Sequence, residues 1–442
     1  MADLDTKPGF RERLQVEGAT ARSGTDRRQK PRWFLPGRQG GRDRRLGSGM
    51  RFGLWRIDTL ATVSEIRNHR QAWLGLEQDC TDPYAAFQSY VWVENWARVF
   101  CAPFPDLPQP RILMIYRHDL LVAILPMMIS SHMGARTLTL FGEPHSQIAN
   151  ALVRAGHDVR DGLQLCLEQA ALLTDADVLA FGPIPATSLL MAAMDAQDLS
   201  PDPAEFLSLT AWPGVWQWED YENSLTKNRR RDLHRKQRAA GRRGPLRYEI
   251  MEADAPDFAS HVRQALSWKQ DWLKRKGMVS IGLARTGHED FLASLPLAQG
   301  AFHAELERLS CDGRTMAYNV NLVGRGERLC YLSAHDRHFK TVSPGMLLDQ
   351  YSVRNAIESG LGARNYLGFP TAYKGLWSNE TVPLWRYRRA VTLRGRLWLS
   401  VWTDTLRPAS KRLLMALRRL SKLPFIGPAL GRFFAALAPS KG

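Results

Sequence analysis

Hydrophobic and polar positions along the chain alternate between stretches of period two and stretches of helical period. His303–Ser310 alternates apolar and charged residues, as a half-buried strand does. Turn residues follow at Cys311-Asp312-Gly313-Arg314, and Met316–Val323 reads as the returning strand. After a second turn at Gly324–Glu327, Leu329–Ser333 completes an antiparallel meander. His335–Val342 then leads to Ser343-Pro344-Gly345, with serine favoured as a helix N-cap and proline at the first helical position. The predicted helix runs from Met346 to Glu358, with Leu347, Leu348, Tyr351, Ala356 and Ile357 near one face and Gly360 past its end. Asn365–Gly368 reads as the next strand, with Tyr373-Lys374 in the loop after it.

The earlier part of the chain has a related order. Ile66–Gln78 is predicted helical, and Asp82–Arg98 is a loop followed by an amphipathic helix with Trp92 and Trp96. Arg111–Tyr116, the turn Arg117-His118-Asp119 and Leu120–Ile129 form a hairpin. A strand at Leu138–Phe141, a helix at Val159–Leu173, a strand at Val178–Phe181 and a helix at Ser188–Gln197 follow. In each half a helix precedes a hairpin and a later helix leads to a strand, which is the pattern of an internal repeat. The expected organisation is a basic disordered segment at 1–49, α/β units at 50–215 and 216–400, and basic amphipathic helices at 401–442. Mixed, mainly antiparallel sheets flanked by helices are the expected fold class, α/β in the wider α+β sense.

The start of the 346–358 helix offers free N–H groups, and Arg337 and Lys340 stand just before it. Together they make an anion site. Several stretches resemble the CelD/BcsL group, a branch of the GNAT acetyltransferases linked with bacterial exopolysaccharide synthesis. They are Ser224–Lys236, Tyr331-Leu-Ser-Ala-His-Asp336, Ser343-Pro-Gly-Met-Leu-Leu348 and Tyr373-Lys-Gly-Leu-Trp377, with softer marks at Phe87–Trp92, Leu121–Pro126 and Leu140-Phe-Gly142. The resemblance spans about residues 60 to 400. It implies tandem GNAT-like domains, an architecture shared with Fem-type transferases. It also implies acetyl-CoA or another acyl-CoA as donor and an amine acceptor such as an amino sugar. Ser343, Gly345 and Met346 would then hold the donor's diphosphate with Arg337, Lys340 and Lys374. The sequence departs from the group at Asn365, where Asp is frequent, and at Phe369-Pro-Thr-Ala372, which replaces an acidic run.

Acyl transfer to an amine calls for a base, an N–H to steady the oxyanion and an acid for the leaving thiolate. His335 and Asp336 are the candidate bases, since histidine titrates near neutral pH. Tyr331 and Tyr373 are the candidate acids, and the Leu329–Ser333 strand would supply the N–H. Trp268, Lys269 and Trp272 lie on one helix and are candidate walls of the acceptor cleft, with core packing the preferred account of them.

Charge adds one element to this picture. The net charge of +16 is local: residues 1–49 carry +6, 223–247 carry +9 and 404–442 carry +7, leaving the rest mildly acidic. The 227–247 run suits an anionic substrate, and its lack of interleaved aromatics argues against a nucleic-acid stacking platform. The 404–442 tail sets Leu413, Leu414, Leu417 and Leu420 opposite Lys411, Arg412, Arg418 and Arg419. That arrangement fits either packed terminal helices or peripheral contact with anionic inner-membrane lipid. The five cysteines show no metal-ligand spacing, and no apolar leader starts the chain, so a reducing cytoplasm is expected. No P-loop, dinucleotide fingerprint, nucleophile elbow or HExxH is present. Two other readings stay open: a Fem-like aminoacyl-tRNA-dependent transferase, and a non-catalytic polysaccharide-assembly factor on a degenerate GNAT fold.

Overall fold

Three two-residue turns set the geometry of the sheet. His118–Asp119, Asp312–Gly313 and Arg325–Gly326 each place consecutive residues at positive φ (49° and 64°, 50° and 72°, 51° and 78°). This is the type I′ form, whose twist matches that of the strands it joins. Asp and Gly at these positions adopt the left-handed region at low cost. The computed structural model describes residues 50–406 apart from 102–106, 133, 195–199, 279, 296–299 and 369–370. The expected disordered segment 1–49 and residues 407–442 of the expected terminal helices lie outside the described residues.

The first half contains β1 (Met50–Phe52), β2 (Trp55–Leu60), helix α1 (Tyr90–Phe100), β3 (Gln109–Arg117), β4 (Leu120–His132), β5 (Ala135–Leu140) and β6 (Leu152–Val153). Helix α2 (Arg160–Thr174), β7 (Val178–Pro185) and β8 (Ser200–Ala211) complete it. The second half contains helix α3 (Lys227–Gly241), β9 (Leu246–Glu252), helix α4 (Phe258–Lys276), β10 (Phe302–Cys311), β11 (Arg314–Gly324) and β12 (Glu327–His335). Helix α5 (Pro344–Glu358), β13 (Ala363–Asn365) and β14 (Glu380–Ala390) follow. All the described strands form one sheet in the order β1-β2-β3-β4-β5-β7-β14-β8-β13-β12-β11-β10-β9, with β6 added to β4.

That order reads almost the same from either end. Helix α2 links the parallel pair β5 and β7 as α5 links the parallel pair β12 and β13. The final strands are exchanged, so β14 pairs with β7 and β8 pairs with β13. Even the irregularities repeat. The register of β3–β4 skips Val122 and that of β10–β11 skips Met316, each the third residue after its turn. A bulge adds one residue and a local twist, so two bulges at the same offset mark two copies of one design. The sheet is thus built from two similarly ordered α/β halves.

Several elements differ from the expected ones. The Ile66–Gln78 helix is two helices, Val63–Asn68 and Arg70–Asp79, separated at His69. The strand expected at Asn365–Gly368 is Ala363–Asn365, and Tyr373-Lys374 lies in a short helix, Ala372–Gly375, capped by Thr371. Strands β8 and β14 carry prolines that read as loop, and exposed β9 lacks an apolar face strong enough to announce itself.

The faces of the second half follow strand alternation. Tyr318 faces α4, donating to Gln264 at 2.6 Å and meeting His261 Nδ1 at 2.6 Å, beside buried Phe258, Val262 and Leu266. Neighbouring Asn319 faces the opposite side and donates to Glu307 at 2.9 Å. There, under α5, lies a buried ionic network. Arg328 faces Glu305 at 2.7 Å and Glu307 at 3.2 Å, while fully buried Arg364 faces Glu307 at 3.3 Å and Asp349 at 2.7 Å. Asn321 donates to Glu305 at 3.0 Å and Tyr248 to Glu307 at 2.7 Å. Burial opposes ionisation of Glu307, but Arg364 and Arg328 outweigh it and hold the carboxyl at about 2.

Removing one partner of such a pair strands a charge. Arg364→Met is expected to lower the unfolding free energy by about 3–5 kcal/mol, read from denaturant midpoints at pH 7. A depressed carboxyl stabilises above its unfolded value and loses that contribution as pH falls through its folded value. The stability gap between wild type and Glu307→Gln should therefore narrow as pH drops from 4.5 towards about 2. A pH-independent gap counts against the ionic account.

Candidate active site

Strands β12 and β13 pair through three residues, Glu327↔Ala363, Arg328↔Arg364 and Leu329↔Asn365, and then part. The reason is local to β13. The Asn365 side-chain carbonyl accepts the Leu367 amide at 2.9 Å, and Leu367 takes a left-handed φ of 60°, which turns the chain away. The rest of β12, Cys330–His335, keeps β11 on one edge and faces a gap on the other. The β11–β12 register skips Tyr331, so a bulge sits at the point of parting.

A cleft of about 620 Å³ opens at this gap. From β12 it is lined by Cys330, Tyr331, Ser333, Ala334 and His335, and from α4 by Trp268, Lys269 and Trp272. Lys340, Ser343, Pro344, Gly345, Met346 and Asp349 line it from the α5 side, and Thr371, Tyr373 and Lys374 from beyond β13. Eight of the ten candidate catalytic and donor-binding residues therefore share one cavity, with the three candidate wall residues of α4. Asp336 and Arg337 do not line it.

Each of these residues has a defined setting. His335 ends β12 half-buried; burial, then the nearby charges of Lys269 and Arg275, lower its pKa. Asp336 caps the following 3₁₀ turn: one oxygen accepts the His338 amide at 2.9 Å, and the other takes Arg314 at 3.1 Å. Arg337 is exposed on that turn, while Lys340 is exposed at the cleft edge. Tyr331 packs edge-on against Trp92 at 5.3 Å, and burial raises its phenol. Tyr373 donates its hydroxyl to Asp349, and the Lys374 ammonium is held by the carbonyls of Leu367 and Gly368.

Ser343 occupies the N-cap position of α5, but its side chain makes no cap bond. The chain enters directly from the 3₁₀ turn with Ser343 left-handed (φ 56°) rather than in the extended conformation of a capping serine. The hydroxyl thus leaves the Gly345 amide uncapped, while the Met346 and Leu347 amides donate to the Ser343 carbonyl at 3.0 and 3.2 Å. Gly345 faces the cleft, and a Cβ there would lie 3.5 Å from the Tyr373 hydroxyl.

Among the lining residues that escaped the sequence reading, Asp349 and Gln147 have defined polar partners. Asp349 is buried among the apolar positions of α5, one turn beyond Gly345. Burial pushes its carboxyl up, against the opposing pull of Arg364. An acid set into an apolar helix face was the available signal. Gln147 comes from the first half and donates to the Tyr331 carbonyl at 3.4 Å, a placement that no local pattern carries.

Residues 227–375 match the acetyltransferase (GNAT) domain family. That segment, about a third of the chain, is similar to GNAT acetyltransferase domains. Helix α5, the parted strands and every cleft residue named above except Gln147 fall within the matched segment, and the class of chemistry is acyl transfer. FemX has a related structure, with a TM-score of 0.54 at 10% identity over 75% of this chain and 98% of that one. The C-terminal domain of a putative lysylphosphatidylglycerol synthetase from Agrobacterium fabrum aligns at 0.49 and 15% identity, over 76% and 95%. A tandem GNAT protein from the clavulanic acid biosynthesis pathway aligns at 0.39 and 13% identity, over 76% and 99%. No curated protein matches the sequence. At these identities the FemX likeness bears on fold alone.

The buried pairing of β12 with β13 also accounts for Asn365. Its side-chain amide donates to Glu327 at 3.1 Å, and burial raises the Glu327 carboxyl. An aspartate would set two buried carboxyls against each other. Asn365→Asp should cost about 1–3 kcal/mol, with a larger loss at pH 8 than at pH 5 because ionisation of the added group is opposed by burial. Equal denaturant midpoints for the variant and wild type at both pH values would contradict this.

Proposed function

We propose that this protein transfers an acyl group from acyl-CoA, acetyl-CoA in the simplest case, to an amine. The observation that carries the reading is the free edge of β12, bulged at Tyr331 and placed beside the uncapped start of α5. The α5 start, Gly345 and Lys340 suit a diphosphate, since N-terminal helix amides and a nearby cation favour an anion and glycine allows close approach. The exposed backbone of Leu329–Ser333 suits the amide-bearing arm of the donor and supplies an N–H to a developing oxyanion.

His335 serves as the base and Tyr373 as the acid. A base kept neutral by burial can take the ammonium proton near neutral pH. Asp349 positions Tyr373, holding its ring at the cleft from the buried network. Tyr331 is the alternative acid, disfavoured by its place among the aromatic rings. The acceptor is an amino sugar of envelope polysaccharide, a choice supported by the sequence resemblance. The basic amphipathic sequence at 404–442 supports action at the cytoplasmic face of the inner membrane, and no helix among the described residues is long and apolar enough to cross it.

A second reading has one specific support. Lys227, Arg231, Arg235, Arg238 and Arg242 are all exposed and fall within an arc of about 80° on α3 at 3.6 residues per turn. Such a ridge suits a polyanion, including the tRNA of a Fem-like transferase.

Calorimetric titration decides between them. Saturable acetyl-CoA binding, abolished by Gly345→Leu in a folded variant, is the expected result; tRNA binding without acetyl-CoA binding would favour the second reading. With acetyl-CoA and an amine in hand, the rate should rise through the pKa of His335, so the acidic limb has its midpoint below 6.5. His335→Gln should erase that limb, and Tyr373→Phe should cut kcat about 10²–10⁴-fold with little change in acetyl-CoA affinity.

A further inference from the structure

Lys269 is a cation without a counter-charge. It lies half-buried in the cleft wall, its ammonium 3.2 Å from the Ser333 carbonyl and 5.1 Å from the ring of Trp272. Among the described residues no carboxylate lies within ion-pair distance of it. A half-buried charge held by one carbonyl and one ring keeps donor capacity to spare, since an ammonium carries three N–H groups, and partial burial without an anion carries a cost. The surrounding charge does not relieve it. Arg275 and Lys269 both act on His335 as positive charges, and Lys340 is at the same cleft.

Its position separates it from the α5 start. Helix α4 covers the sheet face to which Tyr318 points, and α5 covers the face to which Asn319 points, with the gap beside β12 between them. A donor anchored at the start of α5 reaches the gap from its own face. A group meeting the thioester from the other face would lie against the wall formed by Trp268, Lys269 and Trp272. The flat apolar rings suit the face of a sugar ring, and the cation suits an anion beside it.

We infer that the acceptor amine carries an anionic group, a carboxylate or a phosphate, which pairs with Lys269 while Trp268 and Trp272 cover its apolar face. This inference rests on the acyl-transfer reading and specifies its acceptor. It calls for no additional chemical step, because the anion binds and does not react.

The test uses the full chain with saturating acetyl-CoA at low ionic strength. Three amines are compared: D-glucosamine, D-glucosamine 6-phosphate and 2-amino-2-deoxy-D-glucuronic acid. Turnover is read as released CoA thiol, and binding as quenching of tryptophan fluorescence. At least one charged amine should exceed glucosamine about 10-fold in kcat/KM or affinity, one ion pair amounting to about 1.4 kcal/mol; which one does so distinguishes phosphate from carboxylate. Lys269→Met should abolish the preference without altering acetyl-CoA affinity, and Lys269→Arg should retain it.

Three results would overturn the inference: equal handling of neutral and charged amines, binding of neither charged amine, or loss of acetyl-CoA affinity in Lys269→Met, which would assign the lysine to the donor. An Arg variant as inactive as the Met variant would also reject it, pointing to a neutral lysine acting as base. Failure of wild type to bind acetyl-CoA would instead defeat the acyl-transfer reading itself.

Discussion

The second half of this protein is organised around charge placed where water cannot reach it. Glu305, Glu307 and Asp349 face Arg328 and Arg364 beneath α5, and Arg364 has no exposed surface. Such a network is a poor source of net stability, because desolvation cancels much of the attraction. What it imposes is geometry. Arg364 can satisfy Glu307 of β10 and Asp349 of α5 together only if β13 lies in one register beside β12 and α5 lies at one height above the sheet. The network thereby fixes the two strands at the point where they part. Through Asp349 it also fixes Tyr373, so the cleft inherits its shape from buried ions well behind it.

The surplus of one carboxyl over the two guanidiniums gives the network a further property. Glu307 is held ionised by its two arginines, while burial pushes Glu305 and Asp349 the other way. A proton gained near Asp349 is therefore tolerated better than in a balanced array.

Much of this was legible in the sequence, and the parts that were not share a cause. The meander, its turns and α5 follow from period-two alternation, Asp-Gly and Arg-Gly turns and a Ser-Pro-Gly helix start, all local signals. The pairing of hairpins across the two halves was also visible, and the bulges at Val122 and Met316 show how closely the copies agree. Strands β8 and β14 were missed because prolines and charges mask strands whose pairing comes from the opposite half. Asp349 and Gln147 were missed because their meaning depends on what faces them: an arginine fifteen residues on in one case, a strand of the other half in the second. Asp336 sat beside His335 in the sequence but turned to its own 3₁₀ cap. The two halves also treat equivalent gaps differently. Residues after β5 close the first one, with the Ala149 amide bonded to Pro183 at 2.7 Å and Ile148 buried, and the same loop extends Gln147 into the second, open one.

The exchange of β8 and β14 has a consequence for how the chain matures. During synthesis the first half emerges with β7 lacking its neighbour, because Glu380–Ala390 is made last among the sheet's strands. Until then the nascent protein carries an open edge of the kind that invites pairing with other chains. Completion of the sheet is thus postponed until both halves have been made, and a ribosome that stalls between the halves leaves a product that cannot close.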